Sequence, residues 1–142
     1  MLRYTKVQVL NFVAVHRIDQ PERQIPEGMA VWETDTNIGR TYRDLCDVAL
    51  EDGWSHEMVI LQDDVRFIRN PYDYSGGFGI PILAYGQSKR EGHVCPRAFS
   101  ANPEGWERLR LGWQYAEETL CPYFTRALGS DGVVLDWTEH LG

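Results

Sequence analysis

The sequence predicts an α/β fold in which one mainly parallel sheet packs against helices. Three observations carry this. Residues 7–15, VQVLNFVAV, are apolar almost without a break, as suits a strand buried on both faces of a parallel sheet. The first elements read strand, strand, helix, strand, an order that parallel connections favour. The 142 residues are enough for one core and leave little for a second, so residues 1–142 are expected to form one domain.

Beyond the first strand, residues 16–28 are polar and carry Pro21 and Pro26, which predicts a loop. Met29-Ala30-Val31-Trp32 reads as a second, short strand running out into Glu33-Thr34-Asp35-Thr36. Residues 37–52 give the clearest helix: Ile38, Tyr42, Leu45 and Ala49 make one apolar stripe, Thr36 or Asn37 can cap the start, and Gly53 can close the end in the left-handed conformation. Met58-Val59-Ile60-Leu61 is a buried strand that runs directly into Gln62-Asp63-Asp64-Val65.

Residues 70–79, NPYDYSGGFG, predict a flexible loop bearing aromatic side chains, either a lid and acceptor platform or a plain connection; residues 80–85 read as a strand. Residues 87–97 are polar. Asn102-Pro103-Glu104 has the cap, proline and acid of a helix start, and Trp106, Leu109 and Trp113 then line one face. Gly112 and Pro122 break the next segment into short helices, Gly129-Ser130-Asp131-Gly132 is a turn, and residues 133–141 fit strand or helix by period.

Composition narrows the function classes. Five Trp, seven Tyr and five Phe supply core material that a disordered chain lacks. The 14 Lys plus Arg against 21 Asp plus Glu, a net charge of -7, argue against a broad nucleic-acid-binding face. No apolar run approaches a membrane span, and residues 1–6 lead into the first strand without a leader pattern. Cys46, Cys95 and Cys121 are odd in number and form no C-x-x-C pair, so reduced thiols in a cytoplasmic protein are expected.

The chemistry concentrates where the strand 58–61 ends in Asp63 and Asp64. Ligands of open α/β sheets bind at the carboxyl ends of strands. Two adjacent carboxylates there repel one another, and a divalent cation, Mg²⁺ or Mn²⁺, relieves that while keeping positions for substrate phosphates.

Asn37-Ile38-Gly39-Arg40, the helix behind it, Asp52-Gly53 and then Met58-Val59-Ile60-Leu61-Gln62-Asp63-Asp64-Val65 together resemble the first half of the GT-A fold glycosyltransferases. The Asp-Asp-Val ending is similar to the Glu-Asp-Asp-Val motif of the lipopolysaccharide-type members, with Gln62 where that pattern has an acid. The resemblance implies a Rossmann-like α/β/α sandwich and a metal-dependent transferase that moves a sugar from a nucleotide-sugar donor. It implies Asp63, Asp64 and a late histidine, His140, as metal ligands. It implies nucleotide-sugar contacts from His16, Arg17, Glu33, Asp35, Gly39, Arg40 and Asp63, and a base, Asp131, that deprotonates the acceptor, with Asp136 and Glu139 behind it. Asp131 reads as well as a helix cap, Glu33 and Asp35 as loop acids that favour a helix N-terminus, and His140 as a surface residue. Lys89, Arg90 and Arg97 could neutralise the leaving diphosphate or simply face solvent. The chain is short for this fold, so acceptor-binding elements are minimal or come from a partner, a second copy of the chain included. Two other readings use the same acids: a metal-dependent nucleotidyl or phosphoryl transferase, and a nucleotide-sugar-binding domain without chemistry.

Overall fold

The structure is a computed structural model and describes residues 9–25, 27–86 and 93–141. Met1 to Lys6, Lys89 and Arg90, on which the leader and diphosphate expectations rest, lie outside the described residues. The elements are β1 (Asn11–Arg17), β2 (Ala30–Thr34), α1 (Ile38–Asp52), β3 (Met58–Gln62), β4 (Val65–Phe67), β5 (Ile82–Ala84), β6 (Ala98–Ala101), α2 (Pro103–Gly112), α3 (Cys121–Leu128), β7 (Val133–Val134) and β8 (Thr138–His140).

A six-stranded sheet has the order β2-β1-β3-β6-β5-β7, and β4 pairs with β8 in a separate two-stranded ribbon. The sheet is mostly parallel: β2, β1 and β3 run together, as do β5 and β7, while β6 is antiparallel to both its neighbours. The carboxyl ends of β1, β2 and β3 therefore share one edge. Residues 133–141, open by period, form β7 and β8, with Asp136 in the left-handed region at the bend between them (φ 59°).

Strand alternation sorts the core onto two faces. Ile60, Ile82, Ala84, Phe99 and Ala101 point to the face where Tyr42, Leu45 and Ala49 of α1, Trp106 and Leu109 of α2 and Phe124 of α3 pack. Val59, Leu61, Leu83 and Ala98 point to the other, against Tyr85, Trp137, Phe67, Tyr74 and Phe78. All three described α-helices thus lie on one face. The opposite face is covered by the ribbon and the 70–80 loop, where the α/β/α expectation placed a second helical layer. The reason is local: only a tight turn separates β3 from β4, and the β4–β5 connection, broken by Pro71, Gly76, Gly77, Gly79 and Pro81, brings aromatic residues in place of an α-helix. Phe78 packs at a tilt on His56 and Tyr74 packs edge-on to Phe78, so these two rings serve the core, while Tyr72 is exposed.

The helix expectations hold in detail. Asn37 Oδ1 accepts from the Arg40 N–H, and Gly53 closes α1 at φ 70°. Asn102 Oδ1 accepts from the Gly105 N–H ahead of α2. One expectation is corrected: Cys95 and Cys121 form a disulfide, with Cα atoms 4.4 Å apart, joining the segment before β6 to the start of α3. Spacing of 26 along the chain carries no signal of a bridge; the fold brings the two together. Cys46 stays a free thiol on the buried face of α1, and burial pushes its pKa up. No helix among the described residues is long and apolar enough to cross a membrane.

Candidate functional site

The site begins with strand register. β1 and β3 are parallel neighbours with Val15 opposite Gln62, so His16 and Arg17 emerge beside Asp63 and Asp64. The Asp63 N–H donates to the Val15 carbonyl (3.1 Å), which continues the ladder into the turn. The Gln62 N–H donates to the Arg97 carbonyl on the other side (2.9 Å). The acid pair is therefore held from both flanks.

Asp63 is the organiser of this corner. Its side chain has no exposure. Oδ2 accepts from His16 Nδ1 (2.8 Å) and from the Arg17 N–H (3.3 Å), and Oδ1 accepts from Arg23 Nη1 (2.9 Å). A carboxylate only accepts, so His16 carries its proton on Nδ1. A buried charge with this many donors is compensated. The Arg17 side chain turns away to fork onto Asp19 through Nε (2.9 Å) and Nη2 (2.8 Å). That fork holds Asp19 below the usual carboxylate range.

Asp64 differs. Oδ2 meets His140 Nε2 (2.7 Å) and Arg23 Nη2 (3.2 Å), while Oδ1 is buried with no partner among the described residues. His140 arrives through the ribbon: β8 pairs antiparallel with β4 and sets His140 opposite Val65, and the Leu141 N–H donates to the Asp64 carbonyl (2.7 Å). An acid and a histidine 76 residues apart are thus brought into contact.

Two clefts flank the acids. One, of about 220 Å³, opens between the ends of β1 and β2 and the start of α1, lined by Val15, Arg17, Arg23, Thr34, Ile38, Tyr42, Gln62, Asp63 and Asp64. Tyr42 is 1% exposed, and its hydroxyl has no partner among the described residues. Burial raises its pKa. The other cleft, of about 350 Å³, is lined by Arg23, Gln24, Asp63, Asp64, His140 and Leu141. Arg23, Asp63 and Asp64 line both and form the partition.

The remaining predicted residues sit elsewhere. Asp35 accepts from the Asn37 N–H (2.8 Å) and from Arg40 Nη2 (2.6 Å), a box around the start of α1, and neither Asp35 nor Arg40 lines these clefts. Glu33 is exposed on β2, opposite His16 in register. Gly39 is committed to packing: its N–H donates to the Glu117 carbonyl (2.7 Å), and a Cβ there would overlap the Ala116 carbonyl. Its amide is not offered to a phosphate. Asp131 lies beyond α3, forked by Arg108 of α2 through Nη1 (2.8 Å) and Nη2 (2.9 Å). The fork keeps its pKa low, and Asp131 lines neither cleft. Glu139 pairs with Arg66 across the ribbon.

The residues that sequence reasoning missed are Arg23 and Tyr42, the first read as loop and the second as core. A signal for Arg23 exists: the loop after β1 must lie beside the turn after its parallel neighbour β3, and a lone cation in one faces the acids of the other.

Among the described residues no three His, Cys, Asp or Glu side chains converge as a ready metal centre. Two do fit a divalent cation: Asp64, through its unpaired buried oxygen, and His140, a set that leaves positions for water and phosphate oxygens. Asp63, the other expected ligand, already accepts three hydrogen bonds, from His16, the Arg17 N–H and Arg23. The chain matches no family model, no curated protein and no solved structure.

Proposed function

We propose that the protein is a metal-dependent glycosyltransferase acting on a nucleotide-sugar donor. The observation that carries this is the buried, unpaired Asp64 oxygen at the carboxyl end of β3, between a cleft with an unpartnered Tyr42 hydroxyl and a second cleft bounded by His140. The first cleft suits a nucleobase and ribose: Val15, Ile38 and the Tyr42 ring give apolar walls, and the Tyr42 hydroxyl and Gln62 amide give directional polar groups. The second suits the sugar and the acceptor. Donor diphosphate then crosses the partition at Asp64 and Arg23.

Asp64 and His140 would hold Mn²⁺ or Mg²⁺, which supplies charge stabilisation to a diphosphate leaving group. The chain's own residues do the rest. Asp63 fixes His16, the Arg17 backbone and Arg23 in place, so the Arg23 guanidinium stands beside the diphosphate and needs no rearrangement beyond a turn of its own side chain. In transfer, the acceptor oxygen bonds to the anomeric carbon, the bond from that carbon to the diphosphate oxygen breaks with its electron pair, and the acceptor proton passes to solvent, directly or by way of a departing diphosphate oxygen. Asp131 is badly placed to take that proton, being forked by Arg108 and outside both clefts.

The test is product identity. Incubation with a panel of nucleotide sugars and Mn²⁺ should release nucleoside diphosphate, by slow transfer to water even without the acceptor, and Asp64→Asn should abolish it. Sugar phosphate, with nucleoside monophosphate free or transferred, as product would assign nucleotidyl or phosphoryl transfer instead. Mn²⁺-dependent donor binding with no release would leave the binding-domain reading. The disulfide favours an oxidising compartment over the cytoplasmic one expected from cysteine spacing.

A further inference from the structure

Among the described residues, Arg23 forms ion pairs with both acids. Nη1 lies 2.9 Å from Asp63 Oδ1 and Nη2 lies 3.2 Å from Asp64 Oδ2. Its side chain is 27% exposed while the Asp63 side chain is fully buried and that of Asp64 is 11% exposed. The guanidinium is thus seated on a buried floor with its outer edge open to both clefts. Five N–H donors sit on a guanidinium, and these two contacts use only part of them. Because Arg23 lines both clefts, the guanidinium stands at their shared wall, where its planar fork matches phosphate oxygens. The two acids hold Arg23 unequally: the Asp63 contact is shorter and deeper, the Asp64 contact longer and shared with His140.

We propose that Arg23 is both the built-in counter-cation of Asp64 and a diphosphate-binding residue, and that it exchanges one role for the other when a divalent cation binds. With no metal, Arg23 offsets the second carboxylate of the pair. When a cation takes Asp64 and His140, Arg23 keeps its anchor on Asp63 and turns its outer N–H groups to the diphosphate. A cation alone must compete with Arg23 for Asp64, whereas a cation arriving with a diphosphate gives Arg23 a new acceptor. Metal and diphosphate therefore bind with positive coupling, and each should raise the affinity for the other by the same factor. This rests on the metal-site reading of Asp64 and His140 but not on sugar transfer, so a protein that turns over no donor can still satisfy it.

The experiment titrates Mn²⁺ alone, followed by the electron paramagnetic resonance of free Mn²⁺, and inorganic pyrophosphate with and without saturating Mn²⁺, followed calorimetrically. The parent should bind Mn²⁺ weakly alone and more tightly with pyrophosphate. Arg23→Gln should bind Mn²⁺ alone about tenfold more tightly, having lost a competing charge, and Mn²⁺-pyrophosphate about ten- to a hundredfold more weakly, having lost charge-assisted donors. The coupling should fall toward none. Arg23→Lys keeps the charge but cannot span two carboxylates, and should lie between the two; it serves as the probe if Arg23→Gln does not fold. Unchanged or weakened Mn²⁺ binding in the Arg23 variants, or unchanged pyrophosphate binding, would make Arg23 a structural ion pair and overturn the proposal. So would a failure of the parent and both variants to bind Mn²⁺, which would also remove the metal-site reading. Coupled binding without release of nucleoside diphosphate from any nucleotide sugar would fail the transferase reading alone.

Discussion

Asp63 and Asp64 are adjacent and chemically identical, yet their surroundings give them different work. Asp63 is enclosed and accepts from His16, Arg17 and Arg23, so its removal should act on stability. Taking one partner from a buried ion pair leaves the other uncompensated; because Arg23 is a quarter exposed, Asp63→Ala is expected near the low end of that range, about 3 kcal/mol, in urea denaturation. Asp64→Asn should instead leave the denaturation midpoint close to the parent's while removing Mn²⁺-dependent nucleoside diphosphate binding. Equal loss of stability in both variants would mean that Asp64 is structural too. Asp131 makes a third residue-scale test. Its exposed fork with Arg108 has no path to either cleft, so Asp131→Asn should keep donor turnover. A loss of about 10²–10⁴-fold, the usual size for a missing general base, would restore the role that the resemblance implies.

At the scale of elements, the start of α1 and the disulfide decide how firmly the site is framed. The Ala116–Glu117 backbone can cross the first turn of α1 only because Gly39 has no Cβ, a crossing also held by Arg43 Nη1 on the Trp113 carbonyl (3.2 Å). Gly39→Ala should therefore lower the melting temperature markedly, since backbone rather than a flexible side chain stands in the way. If the variant melts like the parent and only binds nucleotide less well, Gly39 faces ligand after all. The Cys95–Cys121 bridge closes a loop of 26 residues and should contribute about 3 kcal/mol. For a chain of this length, reduction should lower the melting temperature by roughly 8–12 °C. Much of this scale was legible beforehand. The α1 stripe with its Asn37 cap and Gly53 stop, the Asn102-Pro103 start of α2 and the strand ending in Asp63-Asp64 all rest on local periodicity and capping chemistry, which a sequence carries directly. The disulfide and the Asp64–His140 contact depend on which strands become neighbours, and no local pattern encodes that.

The whole molecule explains both the success and the misses. A run of parallel strands was readable from VQVLNFVAV and the element order, but the antiparallel β6 wedged between β3 and β5 was not, because a four-residue apolar strand has no direction in its composition. Nor was the layering: the aromatic 70–80 segment reads as a loop, and only its packing with His56, Tyr85 and Trp137 shows that it covers a sheet face. That face carries a global test. His56 Nε2 donates to the Ile80 carbonyl (2.8 Å), Nδ1 shares a hydrogen bond with Ser100 Oγ (2.7 Å), and burial keeps the ring's pKa below the ordinary value. With the folded pKa lowered, the unfolded chain binds the proton first. The stability is complete above the ordinary histidine value of about 6.5 and is lost as pH falls through it toward the folded value. Urea midpoints measured from pH 7.5 to 5 should fall in the parent and fall less in His56→Gln. Parallel curves would place the acid sensitivity elsewhere.

The central claim is that Asp64 and His140, joined by the pairing of β4 with β8 at the carboxyl end of β3, hold a divalent cation beside a nucleotide cleft. The most direct measurement is a crystal structure with Mn²⁺ and a nucleoside diphosphate, with the metal located by its anomalous signal. One strong peak is expected within coordination distance of Asp64 and His140, with the phosphates bridging from it to Arg23 and the base against Tyr42 and Gln62. A nucleotide bound away from this cleft, or one bound in it with no metal at Asp64, would contradict the claim.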